Sequence, residues 1–155
     1  AKILEINSKT GLYPLYVAYS IYRARLNDSE RGYSLEYLQK IWADTLRDNV
    51  FVICKTPMAE TITRRTLAGF SRAKVNSRYF DDLISTLKFN PALFVDSVQN
   101  KSYWNKGVGT MKFDAVVGNP PYQIAQDGDN ENKADSIYKL FLEAYNIEYD
   151  ERYMV

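Results

Sequence analysis

Asn119-Pro120-Pro121-Tyr122 is the segment whose residue types can do definite chemistry. Its two prolines fix φ and remove two backbone donors, which leaves the Pro120 carbonyl rigid and free to accept. The Asn119 side chain carries a second carbonyl acceptor. Two acceptors side by side suit a planar amino group with two N–H donors, and Tyr122 adds a flat face beside them. By average residue usage, Asn-Pro-Pro-aromatic arises by chance in about one chain in a thousand of this length. A rigid turn with an asparagine cap is the reading without function.

The rest of the composition narrows the chemistry. The chain contains no histidine, which removes Ser-His-Asp and Cys-His arrangements and every histidine metal site. The only cysteine is Cys54, so disulfide frameworks and cysteine zinc clusters are excluded and a reducing, cytoplasmic compartment is expected. Asp127, Asp129, Glu131 and Asp135 lack the central glycine and terminal glutamate of a calcium loop, and no metal site is expected. With 20 Lys plus Arg against 19 Asp plus Glu, the net charge of +1 gives no global pull toward nucleic acid or membrane. No apolar run approaches the ~20 residues that span a bilayer, and Ala1-Lys2-Ile3-Leu4-Glu5-Ile6 does not read as a signal peptide.

The elements that must position this chemistry alternate between strand and helix, which predicts an α/β fold on a mostly parallel sheet. The chain has 155 residues, 46% of them hydrophobic and 25% charged, enough for one ordinary domain. Ile3–Ile6 reads as a strand, residues 7–11 as a polar turn, and residues 12–26 as a helix. In that helix Tyr13, Tyr16, Tyr19 and Tyr22 recur every third position; a packing face is the favoured reading over base stacking. Ser34 caps a second helix through Arg47, and Val50–Cys54 is a strand apolar on both faces. Thr56-Pro57 starts a third helix and Gly69 stops it.

Residues 71–110 are less legible. A short helix is expected over 81–88, helix or strand over 92–98, and loop over 101–110, with Gly107-Val108-Gly109 an ordinary turn. Phe113–Val117 is the clearest later strand and must end at the prolines. Residues 126–133 are polar, and helical spacing returns over 134–149. A chain that opens and closes inside strand-like sequence is expected to be a piece of a larger protein.

Val116-Val117-Gly118-Asn119-Pro120-Pro121-Tyr122-Gln123 resembles the catalytic loop of the N6-adenine DNA methyltransferases of restriction-modification systems. Asn7-Ser8-Lys9-Thr10-Gly11-Leu12-Tyr13-Pro14-Leu15-Tyr16 sits where that family has its first cofactor-binding loop. Ala134-Asp135-Ser136-Ile137-Tyr138-Lys139-Leu140-Phe141 resembles the helix after the catalytic loop. The resemblance implies a Rossmann-like methyltransferase core spanning residues 1–155, truncated and without its target-recognition domain. It implies S-adenosylmethionine as cofactor and double-stranded DNA as partner, with fused or associated endonuclease and specificity domains and no membrane. The target adenine would be swung out of the duplex, which costs a few kcal/mol. Asn119 and the Pro120 carbonyl would accept its N6 hydrogens, with Pro121 stiffening the bend and Tyr122 stacking on the base.

By position in the family's first loop, Glu5 matches the usual acid and Gly11 the last glycine, with Asn7, Lys9 and Thr10 between them. Lys9 stands where another glycine is common. Cys54 and Lys55 occupy the place of the acid that serves the ribose hydroxyls, and Asp96 is the expected contact to the cofactor's adenine. Cys54 follows Ile53 rather than a proline and reads as buried and inert, unlike the nucleophile of cytosine-C5 methylation.

Two competing functions share these residues. A glutamine methyltransferase acting on release factors uses the same tetrapeptide, because a side-chain amide also presents two N–H donors, but normally keeps a glycine-richer first loop. A non-catalytic DNA-binding segment with a decayed cofactor site is favoured by Lys9, Cys54 and Lys55. Arg64, Arg65, Arg72, Lys74 and Arg78 fit a phosphate-contacting patch and a solvated helix face equally well. Lys101 and Lys106 beside Tyr103 and Trp104 read as loop anchoring ahead of strand contact.

Overall fold

The computed structural model describes residues 1–27 and 32–118. The tetrapeptide 119–122, the polar stretch 126–133 and the helix expected over 134–149 lie outside the described residues. Among those described, residues 1–81 with 112–118 form one compact unit and residues 82–111 a second.

The first unit is a four-stranded parallel sheet with helices, the Rossmann-like α/β arrangement expected. Its elements are β1 (Ile3–Ser8), α1 (Leu12–Asn27), α2 (Leu35–Asn49), β2 (Val50–Cys54), α3 (Pro57–Ala68), β3 (Asn76–Tyr79) and β4 (Ala115–Gly118). The sheet order is β3-β2-β1-β4. The chain therefore moves outward from β1 through β2 to β3, then returns to add β4 on the other side of β1. In open α/β sheets that reversal opens a crevice beyond the carboxyl ends of the two strands where it occurs, here β1 and β4.

β2 is wholly buried, as its apolar run requires. Its residues Val50, Val52 and Cys54 pack with Ala18 of α1, Leu46 of α2 and Leu67 of α3. Each fully buried aliphatic side chain there contributes about 1.5–3 kcal/mol. On the opposite face Phe51 meets Phe113 edge-on, ring centres 5.2 Å apart. The start of β4 is tied to β1 by the Lys2 amide, which donates to Asp114 Oδ2 at 2.6 Å, and by the Asp114 amide, which donates to the Lys2 carbonyl.

The helix boundaries follow their caps. The Ser34 side chain accepts from the Tyr37 amide and Thr56 from the Ala59 amide; Pro57 opens α3 and Gly69, at φ 60°, ends it. The tyrosine row of α1 corrects the packing expectation: Tyr13, Tyr16 and Tyr19 are 60%, 73% and 48% exposed. The buried stripe instead runs through Pro14 and Ala18, whose small side chains let α1 approach its neighbours. A three-residue step carries the tyrosines round the helix and off that stripe. Tyr22 packs edge-on against Trp42 at 5.5 Å, and the Tyr19 ring lies tilted against Tyr22 at 6.3 Å.

β3 was not foreseen, because its sequence Asn-Ser-Arg-Tyr has no apolar pattern. Polar bonds hold it: Asn76 Nδ2 lies within hydrogen-bond reach of the carbonyls of Leu46, Arg47 and Val50, at 3.1, 2.9 and 2.9 Å.

The second unit contains α4 (Leu83–Phe89), α5 (Pro91–Gln99) and a 3-10 turn over Lys101–Trp104. The ambiguous residues 92–98 are thus helical, opened by Pro91 with the Asn90 side chain accepting from the Leu93 amide. Trp104 is buried and donates through Nε1 to the Val98 carbonyl at 2.8 Å, which bears out loop anchoring. Gly107 and Gly109 turn at φ 91° and 109°, an ordinary reversal closed by the Lys101 amide on the Gly109 carbonyl. No helix among the described residues is long and apolar enough to cross a membrane.

Candidate functional site

Strand β1 does not end cleanly. Ile6 pairs with Ile53 and Ser8 with Cys54, so Asn7 is an extra residue in β1 and takes a left-handed φ of 69°. Such a bulge re-aims neighbouring side chains, and asparagine tolerates this conformation better than most residues. After the bulge the chain turns in four residues into α1. The Gly11 amide donates to Ser8 Oγ at 3.1 Å, and the Thr66 hydroxyl of α3 donates to the Thr10 carbonyl at 2.6 Å. Gly11 sits at φ +81°, and a Cβ there would lie 3.0 Å from Thr63 Cα and Thr66 Cβ. Glycine is required at this position for both reasons.

The bulge and turn enclose a cavity of about 180 Å³ lined by Glu5, Asn7, Ser8, Lys9, Thr10, Gly11, Leu12 and Tyr13. Five of the six residues expected to bind cofactor therefore share one cavity, at the carboxyl end of β1 where the strand order reverses. The sixth, Asp96, is exposed on α5 of the second unit. The volume is below the ~300–1,000 Å³ of a whole small-molecule pocket and suits one end of a ligand.

Glu5 is the unusual group in this wall. It is 3% exposed, and its Oε2 has no hydrogen-bond partner among the described residues. Burial pushes its carboxyl up to about 8, partly offset by a hydrogen bond from Ser8. A buried carboxyl oxygen without a donor is costly, and a ligand cation would satisfy it. Beside it, α1 begins with no acidic residue in its first turn. Its leading N–H groups and positive dipole end favour an anion, as does the Lys9 ammonium. A carboxylate on one side and an anion-seeking helix end on the other fit a zwitterionic amino-acid head group.

The end of β2 makes a different offer. Cys54 is fully buried, its thiol raised by burial and bonded toward Thr63 and Ser77. Lys55 is exposed. Neither supplies an acid for ribose hydroxyls, as expected from sequence, and the inert reading of Cys54 holds. The basic stretch is partly absorbed by structure. Arg64 Nη2 bonds Glu60 at 2.6 Å and the Ser77 carbonyl at 3.1 Å, while Arg65 reaches the Gly69 carbonyl and lies over the Phe70 ring. Lys74 precedes β3, at the edge where the parallel strands begin. It is thus placed opposite the edge that bears the Glu5 cavity.

β4 brings the chain to the same edge. Gly118, its last residue, pairs with Ile6, one position before the bulge. A Cβ on Gly118 would lie 2.9 Å from the Ile6 carbonyl oxygen, a backbone atom that cannot swing away. Only glycine lets β4 lie this close to β1. Gly118→Ala is expected to force the two strands apart and cost about 1–3 kcal/mol of stability, read as a lower thermal midpoint. An unchanged midpoint would show that the strand pair gives way without cost.

Ser8, Leu12 and Tyr13 of the cavity wall fall in the loop segment the sequence pointed to but were not singled out individually, and Thr63 and Thr66 behind it were missed. No signal in a lone sequence marks the α3 threonines, because their contacts lie more than fifty residues away in the chain.

Comparison with known proteins agrees with this arrangement. The family model described as Eco57I restriction-modification methylase matches residues 48–153. A Mycoplasma pneumoniae protein described as an uncharacterized adenine-specific methylase is 31% identical over 81 residues, covering 51% of this chain and 19% of that protein. The chain thus spans less than a quarter of that relative's length. No solved structure matches the chain. A parallel sheet with a cavity at the strand reversal, and a family match that runs from the end of α2 past the Asn-Pro-Pro-Tyr segment, lead to one assignment: the chain belongs to the Eco57I restriction-modification methylase family.

Proposed function

We propose that the chain is the methyl-transfer core of a DNA adenine-N6 methyltransferase acting with S-adenosylmethionine in a restriction-modification enzyme of the cytoplasm. The observation that carries this reading is the Glu5 cavity: a buried carboxyl oxygen without a partner among the described residues, beside the start of a helix with no acidic residue in its first turn, at the carboxyl end of β1. The methionine end of S-adenosylmethionine carries the matching ammonium and carboxylate. Glu5 would take the ammonium, and Lys9 with the first turn of α1 the carboxylate. When bound, the cofactor supplies a methyl group on a sulfonium, which needs no strong base to react.

This chain's own residues then have three tasks. The Asn119 side-chain oxygen and the Pro120 carbonyl accept the two N6 hydrogens and turn the nitrogen lone pair toward the methyl group. Pro121 holds the bend rigid. Tyr122 stacks on the extruded adenine and returns ~1–3 kcal/mol of the cost of unstacking it. A chain without histidine suffices for this: the N–CH3 bond would form as the S–CH3 bond breaks and the sulfur leaves as a neutral thioether, and the cationic N6 so formed is acidic enough to lose its extra proton to solvent without a strong base.

The test is transfer of labelled methyl from S-adenosylmethionine to duplex DNA, with the product digested to nucleosides. Label in N6-methyladenine supports the reading. Label only in a release-factor peptide would transfer it to glutamine methylation, and failure of the full-length protein to bind cofactor in calorimetry would leave a DNA-binding segment with a decayed site.

A further inference from the structure

Part of the basic stretch has no task in holding the fold. After α3 the chain runs Gly69-Phe70-Ser71-Arg72-Ala73-Lys74 on its way to β3. Hydrogen bonds fix this turn. The Gly69 amide donates to the Arg65 carbonyl at 2.8 Å, and the Ser71 amide and hydroxyl both donate to the Ala68 carbonyl, at 3.1 and 2.6 Å. The Ala73 amide closes the turn on Ser71 Oγ at 3.3 Å. Yet the turn holds Phe70 99% exposed. An ordered segment that keeps a phenyl ring in water forgoes the stabilisation its burial would give. The Arg65 guanidinium lies over the ring, 5.7 Å from its centre, and at this exposure the opposite face of the ring is open.

The charge around the ring is of one sign. Arg65, Arg72 and Lys74 are exposed, and no acid occurs from Thr61 to Tyr79. Glu60, just before that stretch, is engaged by Arg64 and by the Tyr79 amide. On α2, Asp44 and Asp48 both pair with Arg47. Arg72 and Lys74 therefore have no ion pair among the described residues. A solvated surface accounts for free cations, but not for a bare phenyl ring fixed among them.

We infer that this turn is a contact for an unpaired DNA strand, with Phe70 stacked on one base and Arg72 and Lys74 on the neighbouring phosphates. Phosphates supply the complementary charge, and a base supplies the flat face that an exposed ring lacks. Only an unpaired base offers that face, because in a duplex its neighbours cover it. An acidic peptide would answer the cations and leave the ring unused. DNA is the nucleic acid that restriction-modification systems handle, and this chain belongs to such a family. The turn leads into β3 at the edge where the parallel strands begin, with Asn76 paired to Phe51. It is thus a contact separate from the Glu5 cavity, and it needs no cofactor.

The experiment titrates the 155-residue chain, without cofactor, into a labelled unstructured DNA strand and follows fluorescence anisotropy at several salt concentrations. Phe70→Ala is expected to weaken binding by ~5–100-fold, the range of one base–aromatic stack, and to leave the salt dependence unchanged. Phe70→Tyr should retain the affinity of the parent. Phe70→Leu should bind as weakly as the alanine variant, which a merely apolar contact would not predict. Arg72→Ala and Lys74→Ala should each lower the slope of log affinity against log salt by ~0.7, the value for one phosphate of a single strand. All these side chains are exposed, so thermal midpoints should stay in place. A chain that transfers no methyl group yet shows these losses still supports the contact. An undiminished affinity in Phe70→Ala, or equal affinities for Phe70→Leu and Phe70→Tyr, overturns it. So does a larger loss in Phe70→Ala on the duplex than on the strand. Polyglutamate that binds as tightly as the strand, and loses as much in Phe70→Ala, would give the turn to an acidic peptide instead.

Discussion

Asn119→Ala is expected to lower methyl transfer to adenine by ~10²–10³-fold or more, the scale seen when one preorganised partner of a developing charge is removed, while Tyr122→Phe keeps most of the activity. The exocyclic nitrogen of adenine is a poor nucleophile because its lone pair is shared with the ring. Two acceptors on its hydrogens hold the amino group where that pair points out of the ring plane, and they stabilise positive charge as the new bond forms. Both effects are stronger in the transition state than in the bound substrate, so the loss should fall on kcat and leave the affinity for DNA little changed. Asn119→Asp keeps an acceptor oxygen and should retain more activity than the alanine variant. In the proposed reaction Tyr122 would act through its ring face, which phenylalanine preserves; Tyr122→Ala would remove ~1–3 kcal/mol of stacking and should lower activity well below the phenylalanine variant. Single-turnover transfer from labelled S-adenosylmethionine measures all four. Equal rates for Asn119→Ala and Tyr122→Phe would show that the roles assigned to these side chains are wrong.

Much of this architecture was written in local pattern. β2 could be read because Val50–Cys54 has no polar atom that would tolerate an exposed face, and α2 and α3 because Ser34 and Thr56-Pro57 announce their first turns. The cavity could be read as a loop after β1, since Glu5 to Gly11 carries an acid, an asparagine able to turn left-handed and a glycine in the order such a turn needs. What escaped was carried by tertiary contact. β3 is specified by Asn76 bonding to the carbonyls of α2 and β2, a signal that exists only after those elements are in place. The tyrosine row of α1 misled because periodicity marks a face without saying which way it turns; Pro14 and Ala18, too small to stand out in sequence, are what the sheet and helices cover. The edge on which a cation lies is a property of topology, so the placement of Lys74 away from the Glu5 cavity could not be seen until the strand order was known.

Glu5→Gln should change both ligand binding and the pH dependence of stability. In the folded chain the Glu5 carboxyl is raised from 4.5 to about 8 by burial, whereas the unfolded chain leaves it near its ordinary value. Folding therefore favours the protonated form. The stability this confers is fully present below about 4.5 and is lost as pH rises through about 8, because a charged carboxylate must then stay buried with too few donors. The chain should be less stable at pH 9 than at pH 5 by a few kcal/mol from this group. Glu5→Gln should flatten that slope and raise the melting temperature on the alkaline side. Ligand binding should respond in the opposite sense. A ligand ammonium pairs only with the carboxylate, so at pH 7 the proton on Glu5 must leave as the ligand enters. Calorimetry in two buffers of different ionisation enthalpy should show close to one proton released per S-adenosylmethionine bound, and none in Glu5→Gln, whose affinity should fall by ~10–100-fold as a charge-assisted bond is lost. A Glu5→Gln chain that binds as tightly as the parent and with no change in proton count would mean that the buried carboxyl group is not where the ligand's cation sits. A group that weakens the empty fold at alkaline pH yet strengthens the occupied one couples the stability of the chain to its ligand, so bound S-adenosylmethionine should raise the melting temperature more at pH 8 than its affinity at pH 6 would allow.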